Sequence, residues 1–155
     1  MKKVVELLKE KRKTISTMES CTGGGVVNAI TNIEGASEVL KFSAVTYSNE
    51  YKIEMGVDEK VIEKYSVYSI ETAREMSKNI AEFSKSDYGV GVTGKLKRAD
   101  QNNMRGKDDV VFVSIYDKEK ERYEDFTIEV DKDTRAENKD LVIAAIVNKL
   151  FETIR

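Results

Sequence analysis

Apolar and polar positions along the chain alternate between two periods. Over residues 2–11, Val4, Val5, Leu7 and Leu8 fall on one face of a short amphipathic helix. Residues 14–18 (TISTM) then read as a short strand, and VVNAITNI (26–33) returns to helix. FSAVTYS (42–48) is strand-like in its β-branched and aromatic content. NEYKIEMG and DEKVIEKYS suggest two short helical pieces. Over 70–84, Ile70, Ala73, Met76, Ile80 and Phe83 recur at three- and four-residue steps, the mark of a one-faced helix. YGVGVTG (88–94), VVFVSIY (110–116) and YEDFTIEV (123–130) predict three further strands, the last two joined by the charged turn DKEKER. A final helix over about 134–154 carries LVIAAIV, apolar around most of its circumference, which predicts that it is well buried.

Strands and helices that alternate before a terminal hairpin imply a three-layer α/β/α sandwich, on a mixed and mostly parallel sheet with at least one antiparallel strand. No GxGxxG follows the first strand, so a Rossmann dinucleotide site is disfavoured. There is no internal repeat, low-complexity tract or Pro/Ser-rich linker. A single domain over 1–155 is the simplest organisation.

Composition narrows the chemistry. The 28 acidic and 26 basic side chains leave a net charge of −2, which gives no general drive toward nucleic acid or anionic membrane. No apolar run reaches membrane-spanning length, and MKKVVELLKEKRK lacks the apolar core of a signal peptide, so a cytoplasmic location is expected. There is no histidine, which excludes Ser–His and Cys–His pairs. With Cys21 as the only cysteine, an ordinary zinc site is also excluded. A magnesium site of carboxylates has no motif behind it. A hydrolase built from this chain must take its base from Lys, Tyr, Asp or Glu.

Two clusters could carry chemistry. TMESCTGGG (17–25) sits between a predicted strand and a helix start, where the first N–H groups have no intrahelical partners. Its glycines would admit either a ligand or a neighbouring element close to the main chain. Ser20 there could act as a nucleophile beside oxyanion-stabilising backbone. Alternatively, Ser20 or Thr22 simply caps the helix. Cys21 ranks behind the hydroxyl, because lone cysteines are commonly buried packing residues. The second cluster, VTYSNEYK (45–52), places Tyr47 and Lys52 at a strand-to-helix junction. Lys52 could serve as a base only if desolvation lowered its pKa to roughly 7–8.

The segment from TISTMESCTGGG through YSNEYK, continued by ETAREM and the V-T-G strand end, resembles the C-terminal domain of the CinA competence/damage-inducible proteins. The stand-alone form of that domain is the PncC-type nicotinamide-nucleotide amidase. The resemblance implies a five-stranded sheet with one antiparallel strand. It also implies a reaction of pyridine-nucleotide salvage, in which nicotinamide mononucleotide (NMN) and water give nicotinic acid mononucleotide and ammonia, with no metal or other cofactor. In this reading Ser20 is the nucleophile, Lys52 its activating base and Tyr47 a further catalytic residue. Arg135, at the start of the last helix, would hold substrate charge. Thr22, Gly23, Gly24, Thr93 and Gly94 would contact substrate. The implied partner is a small nucleotide, and a homo-oligomer is expected because family members often self-associate.

The chain departs from the resemblance at one place. Where the family usually continues I-A-G-P-G-G-G, residues 95–109 read KLKRADQNNMRGKDD, with Lys95, Lys97, Arg98, Arg105 and Lys107 in place of the glycines and proline. Lys97 and Arg98 would hold the phosphate by side chains, the pocket would take another anion, or the chain would be a catalytically degenerate nucleotide-binding or interaction domain. A mobile loop at the rim of the Ser20 pocket is expected.

Overall fold

A computed structural model describes residues 1–155. Five strands, β1 (Ile15–Glu19), β2 (Leu40–Val45), β3 (Tyr88–Gly94), β4 (Val110–Asp117) and β5 (Arg122–Glu129), form one sheet in the order β2-β1-β3-β4-β5. β1 pairs in parallel with both β2 and β3, while β4 runs antiparallel to β3 and β5. β4 is therefore the one strand of opposite direction. Helices α1 (Lys2–Lys11), α2 (Gly25–Thr31) and α6 (Arg135–Ile154) cover one face. The other face carries α5 (Ile70–Ser84), with α3 (Asn49–Glu54) and α4 (Glu59–Tyr65) leading into it. The three-layer α/β/α architecture is as the pattern predicts. No helix is long and apolar enough to cross a membrane.

The alternation in YGVGVTG explains how the layers close on β3. Val90 and Val92 enter the larger core with Ile15, Val111, Val113 and Ile146. The intervening glycines face α5, whose backbone lies against them. A Cβ on Gly91 would stand 2.2 Å from the Ala73 carbonyl oxygen, and one on Gly89 would stand 1.9 Å from that of Ser77. Met18, Val57, Met76 and Ile80 form the smaller core on this side.

Two elements differ from expectation. β2 ends at Val45, short of the predicted 48, because β1 ends at Glu19 and the Glu19–Val45 pair is the last rung between them. The last helix is buried along one stripe only: Val142, Ile146, Leu150 and Ile154 are in the core, whereas Ala144 is exposed. Its apolar circumference reflects partial cover of Leu141, Ile143 and Val147 at the flanks of that stripe.

β1 is the topological switch point: the chain leaves it toward β2 on one side and later returns as β3 on the other. Ligand sites in open α/β sheets lie outside the carboxyl ends of strands at such a point. The carboxyl ends of β1, β2 and β3 deliver Ser20, Thr46 and Lys95 to the same edge, and β5, parallel to them, leads into Arg135. Because α5 backbone cannot retreat without unpacking the sheet, Gly91→Ala is expected to destabilise the fold by about 1–3 kcal/mol. A lowered urea midpoint with an unchanged m-value would record it.

Candidate active site

Ser20 continues the pairing of β1 for one residue beyond the strand, its N–H donating to the Val92 carbonyl at 3.0 Å. Its own carbonyl then accepts the Gly23 N–H at 2.9 Å and closes a tight turn. Gly23 and Gly24 have φ of 60° and 90°, a left-handed backbone that side chains disfavour. Gly25 is needed for a different reason, since a Cβ there would come within 2.6 Å of Ile143 Cδ1 on α6. The glycine run therefore serves the turn and a neighbouring helix. Neither Gly23 nor Gly24 lines the cavity beside Ser20.

The helix N-terminus is also occupied. The Glu19 carboxylate, fully buried, accepts the N–H groups of Val26 at 3.0 Å and Val27 at 2.8 Å. It also accepts the hydroxyls of Thr17 at 3.0 Å and Thr22 at 2.6 Å. Thus α2 is capped from the preceding strand, by neither Ser20 nor Thr22, and its N–H groups are closed to a ligand. Thr22 serves this cap rather than the cavity. Glu19 escaped the sequence reading, although a carboxylate just ahead of a helix start with orphan N–H groups is a usable signal.

Lys52 is the other half of the site. Ser48 Oγ caps α3 by accepting the Tyr51 N–H at 3.2 Å, and Lys52, in the last turn, projects inward with only 2% of its surface exposed. Its Nζ donates to the Thr46 carbonyl at 2.7 Å and to Ser20 Oγ at 3.2 Å. No carboxylate lies in salt-bridge range of the amine. Burial without a counter-ion lowers its pKa from 10.5 to about 8. Cys21, next to Ser20, has the opposite fate: burial pushes its thiol up to about 12, so it does not compete as a thiolate nucleophile.

Ser20 and Cys21 form part of the wall of a cavity of about 590 Å3. Tyr47, Gly94, Arg98 and Arg135 also line it. Tyr47 is 64% exposed and accepts a long hydrogen bond of 3.4 Å from Arg135 Nη2, which places it at the rim, with no bond to Ser20. Thr93 is fully buried and donates to the Val67 carbonyl, outside the cavity wall. Lys97 also falls outside, its Nζ donating to the carbonyls of Asp131 and Lys132. Gly94 reaches the cavity, but its lack of a side chain is required by β4, since a Cβ would lie 2.5 Å from Val111 Cα.

The 95–107 segment does lie at the rim, yet it is tied down rather than free. Leu96 is buried, and Lys95 Nζ meets Asp108 Oδ1 at 2.9 Å. Arg105 donates to the carbonyls of Glu63 and Lys64, both at 2.9 Å. Asn49 donates to Asn103 Oδ1 at 2.9 Å, and the Tyr68 hydroxyl donates to Asp100. Sequence reasoning missed Asn49, Tyr68, Asp100 and Asn103; their signal is tertiary, apart from the Asp100–Asn102 turn, in which Asp100 Oδ1 accepts the Asn102 N–H.

Ser20 Oγ has an amine of depressed pKa 3.2 Å away, and the Cys21 N–H donates to no other residue, so the site can pair a hydroxyl with a base without histidine. Replacing Glu19 by Ala would leave two helix N–H groups and two hydroxyls unpaired, and should cost at least about 2 kcal/mol. Chemical denaturation measures that loss, and Glu19→Gln, which keeps acceptor capacity, should lose less.

A family model described as the CinA C-terminal domain matches residues 1–154. A protein of Clostridium beijerinckii named as competence-damage inducible is 41% identical over 114 residues, 73% of this chain and 28% of that protein. A CinA-like protein of Endomicrobium trichonymphae is 47% identical over 89 residues, 57% of this chain and 21% of its own length. The chain thus spans under a third of the length of these relatives. Among solved structures, a competence or damage-inducible protein from Enterobacter asburiae superposes with a TM-score of 0.91 at 20% identity, covering 99% of this chain and 95% of that one. That likeness shows a common fold, and the family match over nearly the whole chain places it: the chain belongs to the CinA C-terminal domain family.

Proposed function

We propose that the chain is an amidohydrolase that acts on nicotinamide mononucleotide with a Ser20 nucleophile and a Lys52 base. The observation that carries this reading is the buried Lys52 amine, pKa about 8, 3.2 Å from Ser20 Oγ beside an open cavity. When the amine is neutral, one N–H remains on the Thr46 carbonyl and its lone pair accepts the Ser20 hydroxyl proton. Ser20 Oγ then attacks the carboxamide carbon while Lys52 takes that proton. The developing oxyanion is met by the Cys21 N–H, the donor immediately after the nucleophile. Collapse of the tetrahedral intermediate breaks the C–N bond, and the Lys52 ammonium returns its proton to the leaving nitrogen as ammonia. Water, deprotonated by the same amine, hydrolyses the acyl–serine ester and restores Ser20. Arg98 and Arg135, on the cavity wall without carboxylate partners, receive the phosphate.

The direct test is ammonia release from NMN by the wild-type chain beside Ser20→Ala. Release by wild type that falls by at least a factor of about 100 in the variant supports the reading. NMN binding without release by wild type would instead mark a catalytically degenerate binding domain.

Only the neutral amine can act as base, so the pH dependence has a defined sign. With a pKa of about 8, about a tenth of Lys52 is neutral at pH 7. kcat/KM should rise with pH to a plateau above that value, in a profile from pH 6 to 9.5. A flat profile would remove Lys52 from the role.

Arg98 and Lys97 should separate. Arg98→Ala is expected to raise KM about tenfold with little change in kcat, as for loss of uniform binding. Lys97→Ala, whose amine faces carbonyls outside the cavity, should alter KM by less than about twofold.

A further inference from the structure

The cavity carries charges of both signs that do not neutralise one another. Arg98 and Arg135 enter no ion pair, and the nearby Lys95 is matched by Asp108. Asp100, also on the wall, has no cationic partner. Its carboxylate is held only by neutral donors. The Tyr68 hydroxyl and Asn103 Nδ2 reach Oδ2, the latter at 3.2 Å, and the Asn102 N–H reaches Oδ1 at 2.9 Å. These donors, the Tyr68 hydroxyl first, hold Asp100 below the usual carboxylate range, so it is ionised at neutral pH. Its field reaches Lys52, whose proton affinity it raises.

A carboxylate has about four lone-pair sites, and three are already filled here. An ammonium or guanidinium would find few acceptors left. A cation with delocalised charge and no N–H needs none, only the field. The Tyr68 ring already holds the Lys95 ammonium at 5.1 Å from its centroid, so Tyr68 serves to fix the carboxylate, and the attraction for a flat cation comes from Asp100. Opposite charge for an anion is supplied by Arg98 and Arg135. The complement is a zwitterion with a quaternary aromatic cation at one end and an anionic group at the other.

We propose that Asp100, fixed by Tyr68 and Asn103, is the specificity residue that selects the oxidised, pyridinium form of a nicotinamide nucleotide over its neutral dihydropyridine form. The proposal rests on the amide-hydrolysis reading for its choice of ligand and assigns to Asp100 a role separate from the chemistry. The two forms share amide, ribose and phosphate and differ in ring charge and aromaticity, so the part of a preference that Asp100→Asn removes reports ring charge.

The test is calorimetric binding of oxidised and reduced NMN to Ser20→Ala, which cannot turn over substrate by the proposed route, and to Ser20→Ala/Asp100→Asn. The oxidised form should bind the first protein about tenfold more tightly than the reduced form. Asp100→Asn, which keeps the shape and an acceptor for Tyr68, should bring that ratio close to one while the reduced form keeps its affinity. A ratio near one in Ser20→Ala overturns the proposal. Equal weakening of both forms by Asp100→Asn, or binding of neither form, also overturns it. Each ratio is measured within one protein, so a partly unfolded variant does not distort it. Ammonia release by the wild-type chain separates the two ideas. A preference without ammonia removes the hydrolase reading and leaves charge selection standing, whereas ammonia without a preference removes only the selection.

Discussion

The Glu19 carboxylate is buried where water cannot reach it, and the turn that carries Ser20 is organised around satisfying it. An unpaired carboxylate in such a place would be driven to neutralise or to unfold its surroundings. Here two hydroxyls and two helix N–H groups converge on it, with the positive end of α2 behind them. These bonds join the end of β1 to the first turn of α2 and leave the chain one short path between them. Ser20 lies on that path, pinned by its N–H to β3 and its carbonyl to Gly23. Ser20 is therefore positioned by strand pairing and by its neighbour's charge, and its hydroxyl is left free for Lys52.

The same carboxylate decides where an anion cannot go. With the Val26 and Val27 N–H groups occupied, the usual attraction of a helix N-terminus for phosphate is already used by the protein. In the proposed function anion binding would fall to side chains at the rim, and Arg98 and Arg135 on the cavity wall suit that demand. Glu19 forms no ion pair with Lys52, whose amine bonds only the Thr46 carbonyl and Ser20 Oγ. A carboxylate in salt-bridge range of the amine would raise the lysine's pKa.

How far the sequence discloses all this depends on the range of the interaction concerned. Periodicity finds every strand and α-helix, because each is a local response to burying one face; the 3-10 turn at Ala36–Glu38 has no such pattern. The end of β2 is not local, since it is fixed by where β1 stops pairing, and the prediction overshoots. Ser20 and Lys52 are legible as candidates from residue type and position, but their 3.2 Å contact depends on α3 folding back from the end of β2. The glycines mislead for a physical reason. Sequence shows that something approaches the main chain at Gly25 but not what, and the answer, Ile143, lies 118 residues away (143 − 25). Glu19 is legible only by its place ahead of a helix start, since by type alone an acidic residue is read as solvated.

In the roles proposed for them, Lys52 and Asp100 require one small cavity to keep two opposite charges at work. A lysine base needs poor solvation and no counter-ion, whereas a carboxylate that attracts a cation needs to stay ionised. Placed in direct contact, the two would form an ion pair and both functions would be lost. The fold separates them. Lys52 lies behind Ser20, held by a carbonyl, and Asp100 lies on the β3–β4 connection, held by a phenol, an amide side chain and a backbone N–H. Neutral donors let Asp100 remain charged without borrowing the proton of Lys52, and the field that still crosses the cavity raises the lysine only partly against its burial. In the proposed complex a cationic ring bound against Asp100 would screen that field. Substrate binding would then lower the proton affinity of Lys52 further, and the base would be freest when the amide is in place.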